Sequence, residues 1–189
     1  MLEEHLGGHN GLTHLDHGAL DWLIEKFEPR FYLDIGCGPG GMVELAESKG
    51  LQVHGIDGDH TIERYSPERF IIHDFTKGPA ELDQQYDLGW SCEFVEHVYE
   101  EFQPNYMAAF QQCRRVAMTY APPGHTGYHH VNLKDEKYWI DTFEKYGFVY
   151  DLELTKQLRE HSTMGAKKKH QFVKNRGLIF IKYESAIAV

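Results

Sequence analysis

The residues best placed to do chemistry fall into two sets. One is the run Asp34-Ile35-Gly36-Cys37-Gly38-Pro39-Gly40-Gly41, followed by a second acid, Asp57, 21 positions beyond Gly36. Glycines at this density remove Cβ atoms, so the backbone can turn sharply and come close to a ligand. A helix starting near Gly41 would aim unpaired N–H groups and its positive dipole end at the same place. That suits a negatively charged or oxygen-rich part of a cofactor, and an acid at the distance of Asp57 suits paired hydrogen bonds to ribose hydroxyls. The other set is Glu93-Phe94-Val95-Glu96-His97 together with His125, His129 and His130. Imidazole exchanges protons near neutrality, so these histidines are candidates for a general base.

The elements that must position these groups follow from periodicity and punctuation. Phe31 to Ile35 reads as a buried strand, the stretch from Gly41 to Lys49 as an amphipathic helix, and Leu51 to Asp57 as a second strand, which makes a parallel βαβ unit. Upstream, Asp16 or the residues after it can cap a helix whose apolar stripe is Leu20, Trp22, Leu23, Ile24 and Phe27, with Pro29 ending it. Downstream, Arg69–Phe75, Tyr86–Cys92 and Arg115–Ala121 read as strands, and Gly78–Gln85 as loop. Tyr99–Arg115 and Lys134–Tyr146 read as helices, the second stopped by Gly147. Their aromatic stripes are core contacts. Phe148–Leu154 and Gly177–Tyr183 read as two closing strands, joined by a long basic connection over 155–176 that carries Lys167-Lys168-Lys169-His170, Lys174 and Arg176. Ligands of open α/β sheets bind at the carboxyl ends of strands, which is where the glycine turn, Asp57, Glu93 and the loop 122–132 all fall.

Gly36, Gly38 and Gly41 satisfy G-x-G-x-x-G, a dinucleotide fingerprint, and so admit an NAD-type oxidoreductase. The fuller string Leu33-Asp34-Ile35-Gly36-Cys37-Gly38-Pro39-Gly40, with an acid two residues before the first glycine, resembles motif I of class I S-adenosylmethionine (SAM) methyltransferases. Tyr86–Cys92 followed by Glu93-Phe94-Val95-Glu96-His97 resembles the same family's motif IV region. The resemblance runs over about residues 18–184. It implies an α/β, Rossmann-like, doubly wound and mostly parallel seven-stranded sheet, with an antiparallel last strand and helices on both faces. It also implies SAM as methyl donor. On that reading Asp34, Gly36, Cys37, Gly38, Pro39 and Gly40 cradle the donor at the first turn, and Asp57 with Gly58 holds the ribose. His73, Asp74 and Phe75 surround the adenine, and Cys92 and Glu93 sit where the sulfonium meets the acceptor. His97, His129 or His130 would take the acceptor's proton, Glu96 would orient it, and Asn132, Tyr128 and Trp90 would line the acceptor pocket. Neighbours on a short loop point apart, so at most one of His129 and His130 faces the acceptor.

Composition narrows the partners. The 189-residue chain is 41% hydrophobic and 25% charged, long enough for one domain over 18–189 behind a His- and Gly-rich arm over 1–17. A formal charge of −10 disfavours nucleic acid as a partner, and no N/D-P-P-Y/F signature follows the fourth strand. No apolar run approaches the ~20 residues of a membrane span, and the acidic N-terminus lacks signal-peptide character. Three cysteines, Cys37, Cys92 and Cys113, without C-x-x-C spacing fit reduced thiols and a cytoplasmic location. The arm's histidines complete no recognisable ligand pattern, so no metal is expected and the arm reads as a lid. The expectation is a SAM-dependent methyltransferase acting on an oxygen or nitrogen of a small molecule. Competing readings are a SAM-binding protein without turnover, a nucleic-acid methyltransferase and the NAD-type oxidoreductase.

Overall fold

β1 (Phe31–Ile35), α2 (Gly41–Ser48) and β2 (Gln52–Asp57) form the expected βαβ unit, with Phe31 to Ile35 paired in parallel register with Gln52 to Ile56. In this computed structural model, residues 2–9, 11–165, 167 and 170–184 are described. α1 (His17–Phe27) precedes the unit, and Asp16 caps it by accepting from Ala19 N–H. β3 (Phe70–Ile72) adds to β2, while β4 (Tyr86–Ser91) and β5 (Cys113–Met118) extend the other side, β5 after α3 (Gln103–Phe110). The chain then runs through α4 (Glu136–Lys145), β6 (Phe148–Tyr150), α5 (Leu152–His161), α6 (Phe172–Arg176) and β7 (Leu178–Lys182). The seven-stranded sheet has the order β3-β2-β1-β4-β5-β7-β6, and β7 alone runs against its neighbours. The doubly wound, mostly parallel architecture with an antiparallel last strand is thus present.

Two apolar layers cover the sheet. On one face Tyr106, Phe110, Trp139, Phe143 and Phe180 pack with Leu33 and Ile35, and on the other Leu20, Leu23, Val43 and Leu158 pack with Tyr32, Trp90 and Ile179. Strand side chains alternate between these layers, so each central strand is apolar throughout. Among the described residues, no helix is long and apolar enough to cross a membrane.

The region after β6 departs from expectation. The strand drawn over 148–154 stops at Tyr150, and residues 152–161 are helical. Asp151 caps that helix by accepting from Leu154 N–H, a stop-and-start signal that the sequence carried and the strand reading passed over. Leu154, Thr155 and Leu158 then turn toward the core, so the connection is packed rather than a loop. Its basic residues are partly spent internally: Arg159 donates to Glu136 at 2.7 Å and Arg176 to Glu93 at 3.3 Å. Lys168 and Lys169 of the expected cluster lie outside the described residues. After Glu93 the chain makes a short 3-10 turn, Val95–His97.

Candidate active site

The carboxyl ends of β1, β2 and β4 open into a cavity of about 380 Å³. Asp34, Gly36, Cys37 and Gly38 from the first turn line it, with Asp57 and Gly58, then His73, Asp74 and Phe75, then Cys92, Glu93 and His97. His130 and Tyr128 reach it from the loop after β5. Pro39, Gly40 and His129 were expected beside these residues and do not line it. Gly40 serves packing: at φ 89°, a Cβ there would stand 2.4 Å from the Phe70 ring. His129 also has a left-handed backbone, φ 47°, which turns its ring toward Tyr99 and His5. The two adjacent histidines therefore diverge, and His130 is the one that meets the cavity.

The turn is built so that its glycines are required. Gly36, at φ 76°, lies under Phe94, and a Cβ would sit 2.3 Å from that ring. Asp57 anchors the turn: its Oδ2 accepts from Gly38 N–H and its Oδ1 from Asp59 N–H, both at 2.8 Å. Each oxygen keeps a second lone pair for a ligand hydroxyl. Burial pushes the Asp57 carboxyl up, and the two backbone donors and Arg64 oppose that shift. Arg64 was not anticipated from sequence. Its buried guanidinium bridges Gly38 O and Asp59 O at 3.0 Å each and lies 3.5 Å from Asp57, so it clamps the glycine turn to the acid loop. Nothing in the local sequence marks it for this role. Burial and the nearby Asp57 push Asp34 well above the usual carboxylate range, and burial raises the Cys37 and Cys92 thiols, which stay protonated.

The arm lies over this cavity. His9 donates from Nε2 to Asp59 at 2.9 Å while its Nδ1 accepts from Gly11 N–H, which fixes the ring's orientation. His5 lies 3.2 Å from Asp74, and Leu6 covers Gly58. Thr13 Oγ accepts from Gly41 N–H at 3.1 Å. One N–H of α2 expected to await a ligand is therefore already satisfied by the arm. Asp16 ties the arm's base down, accepting from Thr163 N–H at 2.8 Å and Ser162 Oγ at 2.5 Å.

On the far side of the cavity, Glu93 has a left-handed backbone, φ 53°. Its N–H donates to Thr119 Oγ, and its carboxylate takes Thr119 Oγ–H and Arg176. Glu96 is fully buried, its carboxyl lies against that of Glu93, and neither of its oxygens has a well-formed hydrogen bond. Burial first, then Glu93, pushes its carboxyl well up. His97 is pushed down to about 4 by burial and by His130 and His129, so its imidazole is neutral. The loop carrying His130 is clipped to the same turn, because Val131 and Asn132 N–H both donate to Glu96 O. Asn132, expected to touch the acceptor, is buried and donates from its side chain to Val95 O at 3.4 Å. Trp90 lines the cavity although almost wholly buried.

A narrow cavity walled by glycines, with carboxylates at the ends of neighbouring strands, fits an adenosine-bearing donor. Residues 33–119 match the model of a methyltransferase domain family. Curated relatives include a ubiquinone biosynthesis O-methyltransferase of Proteus mirabilis, 28% identical over 133 residues, 64% of this chain and 51% of that protein. Another from Vibrio vulnificus is 26% identical over 131 residues, 63% and 52% respectively. The chain spans about half the length of these relatives. Among solved structures, the fold is similar to a magnesium protoporphyrin IX methyltransferase from Synechocystis with bound SAM. That match has a TM-score of 0.59 and 17% identity and covers 88% of this chain and 76% of the other. A 1,6-didemethyltoxoflavin-N1-methyltransferase of Burkholderia thailandensis matches with a TM-score of 0.61 and 12% identity, covering 89% and 78%.

Proposed function

We propose, from the methyltransferase-domain match over residues 33–119, that the chain is a class I SAM-dependent methyltransferase that moves a methyl group from SAM to an oxygen or nitrogen of a small-molecule acceptor. The observation that carries this is the single cavity joining the glycine turn and Asp57 on one side to His97 and His130 on the other. Asp57 would hold the ribose, Asp74 the adenine amine, and Gly36 and Gly38 would let the backbone approach the donor. SAM supplies a methyl on a positive sulfur: the acceptor's lone pair forms the new bond as the C–S pair returns to sulfur. The chain's task is then to align the acceptor with that methyl and to keep water away.

A neutral His97 or His130 can take the acceptor's proton, and of the pair His130 is less enclosed. The arm closes the site as a lid, with His5 and His9 latching onto Asp74 and Asp59. Its removal should free the donor to leave.

Calorimetric titration with SAM and with its demethylated product tests the reading, followed by label transfer from methyl-labelled SAM into metabolite pools. Micromolar binding of both and a labelled small molecule are expected. Binding of NAD in their place would end the proposal, and SAM binding without any labelled product would favour a regulatory binding protein.

A further inference from the structure

Fully buried carboxylates without partners are costly and rare, because the charged form loses its water and gains nothing. Glu96 is such a group: neither oxygen has a well-formed hydrogen bond, its carboxyl faces the like charge of Glu93, and the side chain is wholly inaccessible. Beside it, His97 Nδ1 and His130 Nδ1 are also buried without hydrogen-bond partners. Ligand atoms of Glu96, His97 and His130 all lie within 4.8 Å of one another, and the two imidazoles meet edge to face with centroids 4.9 Å apart. Donors on a common ion at ~2.0–2.2 Å stand roughly 3–4 Å apart, so small side-chain rotations suffice. Local sequence enforces the convergence. Gly127 leaves room for the His130 ring, since a Cβ there would lie 2.2 Å from it. The paired N–H bonds of Val131 and Asn132 to Glu96 O hold the loop in place. Gly8 of the arm packs against His97, where a Cβ would lie 2.9 Å from the ring.

The geometry points to a divalent metal site formed by Glu96, His97 and His130 in the cavity wall, of the first-row transition-ion class. One carboxylate and two neutral imidazoles are the borderline donor set such ions take. Three protein donors leave positions open toward the cavity. If the cavity is the methyl-transfer site, as proposed above, those positions suit a hydroxyl of the acceptor. An oxygen bound there gives up its proton to solvent more readily, so the ion takes over the task otherwise left to a free His97 or His130, and the oxygen's lone pair then attacks the methyl carbon. The site thereby favours an oxygen acceptor over a nitrogen one. Glu93, held by Arg176 and Thr119, sits alongside.

The test uses the full chain, stripped with a chelator and titrated with Co²⁺ alone, read by visible absorption and by metal content per chain. About one ion per chain is expected, with a visible ligand-field band. Loss of an outer hydrogen-bond partner already costs ~10–100-fold in affinity, so Glu96→Gln and His130→Ala should each weaken binding by at least about 100-fold. His130 sits on a loop and is partly exposed, and Gln keeps the shape of Glu, so thermal melting should show both variants folded. No uptake by the wild type, or uptake unchanged in both folded variants, overturns the site. Uptake lost on His5→Ala instead would move the ion to Glu3, His5 and Asp74, and overturns it equally. SAM is titrated into the same samples. SAM binding without cobalt uptake removes only the ion, whereas cobalt uptake without SAM binding removes the methyl-transfer reading and leaves the ion standing.

Discussion

The two walls of the cavity treat their acids in opposite ways. On the β1–β2 side every loop carboxylate is supplied with donors: Asp57 takes Gly38 and Asp59 N–H, Asp59 takes Thr61 and His9, and Asp74 takes Thr76 N–H and His5. Burial alone would raise Asp59 and Asp74, but these bonds outweigh it and hold both below the usual range. On the β4–β5 side neither Glu96 oxygen has a well-formed hydrogen bond, and the neighbouring Glu93 carboxyl opposes its charge. The first wall is finished before any ligand arrives, so it can fix a donor molecule rigidly. The second is left unsatisfied, which is tolerable only if something else completes it.

The finished wall is the easier to break. Replacing Asp57 by Ala removes the expected ribose contact and the anchor of Gly38 together. SAM affinity should fall by about 1.5–3 kcal/mol, roughly 10–150-fold in Kd. Calorimetry on the folded variant measures this, and an unchanged Kd would strip Asp57 of its assigned role. A parallel loss of thermal stability is expected, because Gly38 N–H then faces the cavity without its acceptor.

How readily each wall is read from sequence follows the same division. The glycine turn, Asp57 and the βαβ unit are local features: a strand, a turn that needs left-handed glycines, and a helix, each encoded by neighbours in the chain. That is why the first βαβ unit and this wall's lining were legible, whereas the full sheet followed from the resemblance; Gly40 serves the turn's packing, and Pro39 does not line the cavity. The orphan cluster is assembled from residues 96, 97 and 130, brought together by a loop folding back onto Glu96 O. Nothing in their spacing marks them as partners, so the histidines read as separate base candidates and no metal was expected. Arg64 escaped for the same reason, as its partners are carbonyls across a turn. The helix over 152–161 was missed because a short apolar run after a strand reads equally well as more strand.

Asp34 sharpens the comparison, because it belongs to the finished wall yet is pushed well up by burial and then by Asp57. Its native pKa lies above its ordinary value of about 3.9. Between those two values the folded chain holds a proton that the unfolded chain has lost, so stability falls as pH rises through that window. Asp34→Asn removes the slope and the buried charge. The variant should be more stable at neutral pH by about 1–2 kcal/mol, a rise of ~2–8 °C in Tm, while SAM binds less well. Asp57, whose carboxyl is also raised, is coupled to Asp34, so the difference between the two melting curves across pH reports Asp34 together with that coupling. A variant that melts lower than wild type at neutral pH would show that the native carboxylate is stabilised by partners that outweigh its burial.

The smallest effect belongs to the arm that bridges the two walls. It touches the finished side through His5, His9 and Thr13 and the unfinished side through Gly8 on His97. The His5 and His9 contacts are partly exposed, and such pairs are worth little individually, about 0.2–1 kcal/mol. Replacing both histidines by Ala should therefore leave the fold intact and speed SAM dissociation only several-fold, as stopped-flow fluorescence of the nearby Trp90 would register. The latches make their hydrogen bonds to Asp74 and Asp59, and His5 meets the other wall only through the ring of His129, so cobalt affinity at the Glu96 cluster should change little in that variant. A change in ion affinity without a change in SAM dissociation would mean that the arm serves the unfinished wall, and that the latches on Asp59 and Asp74 are incidental to closure.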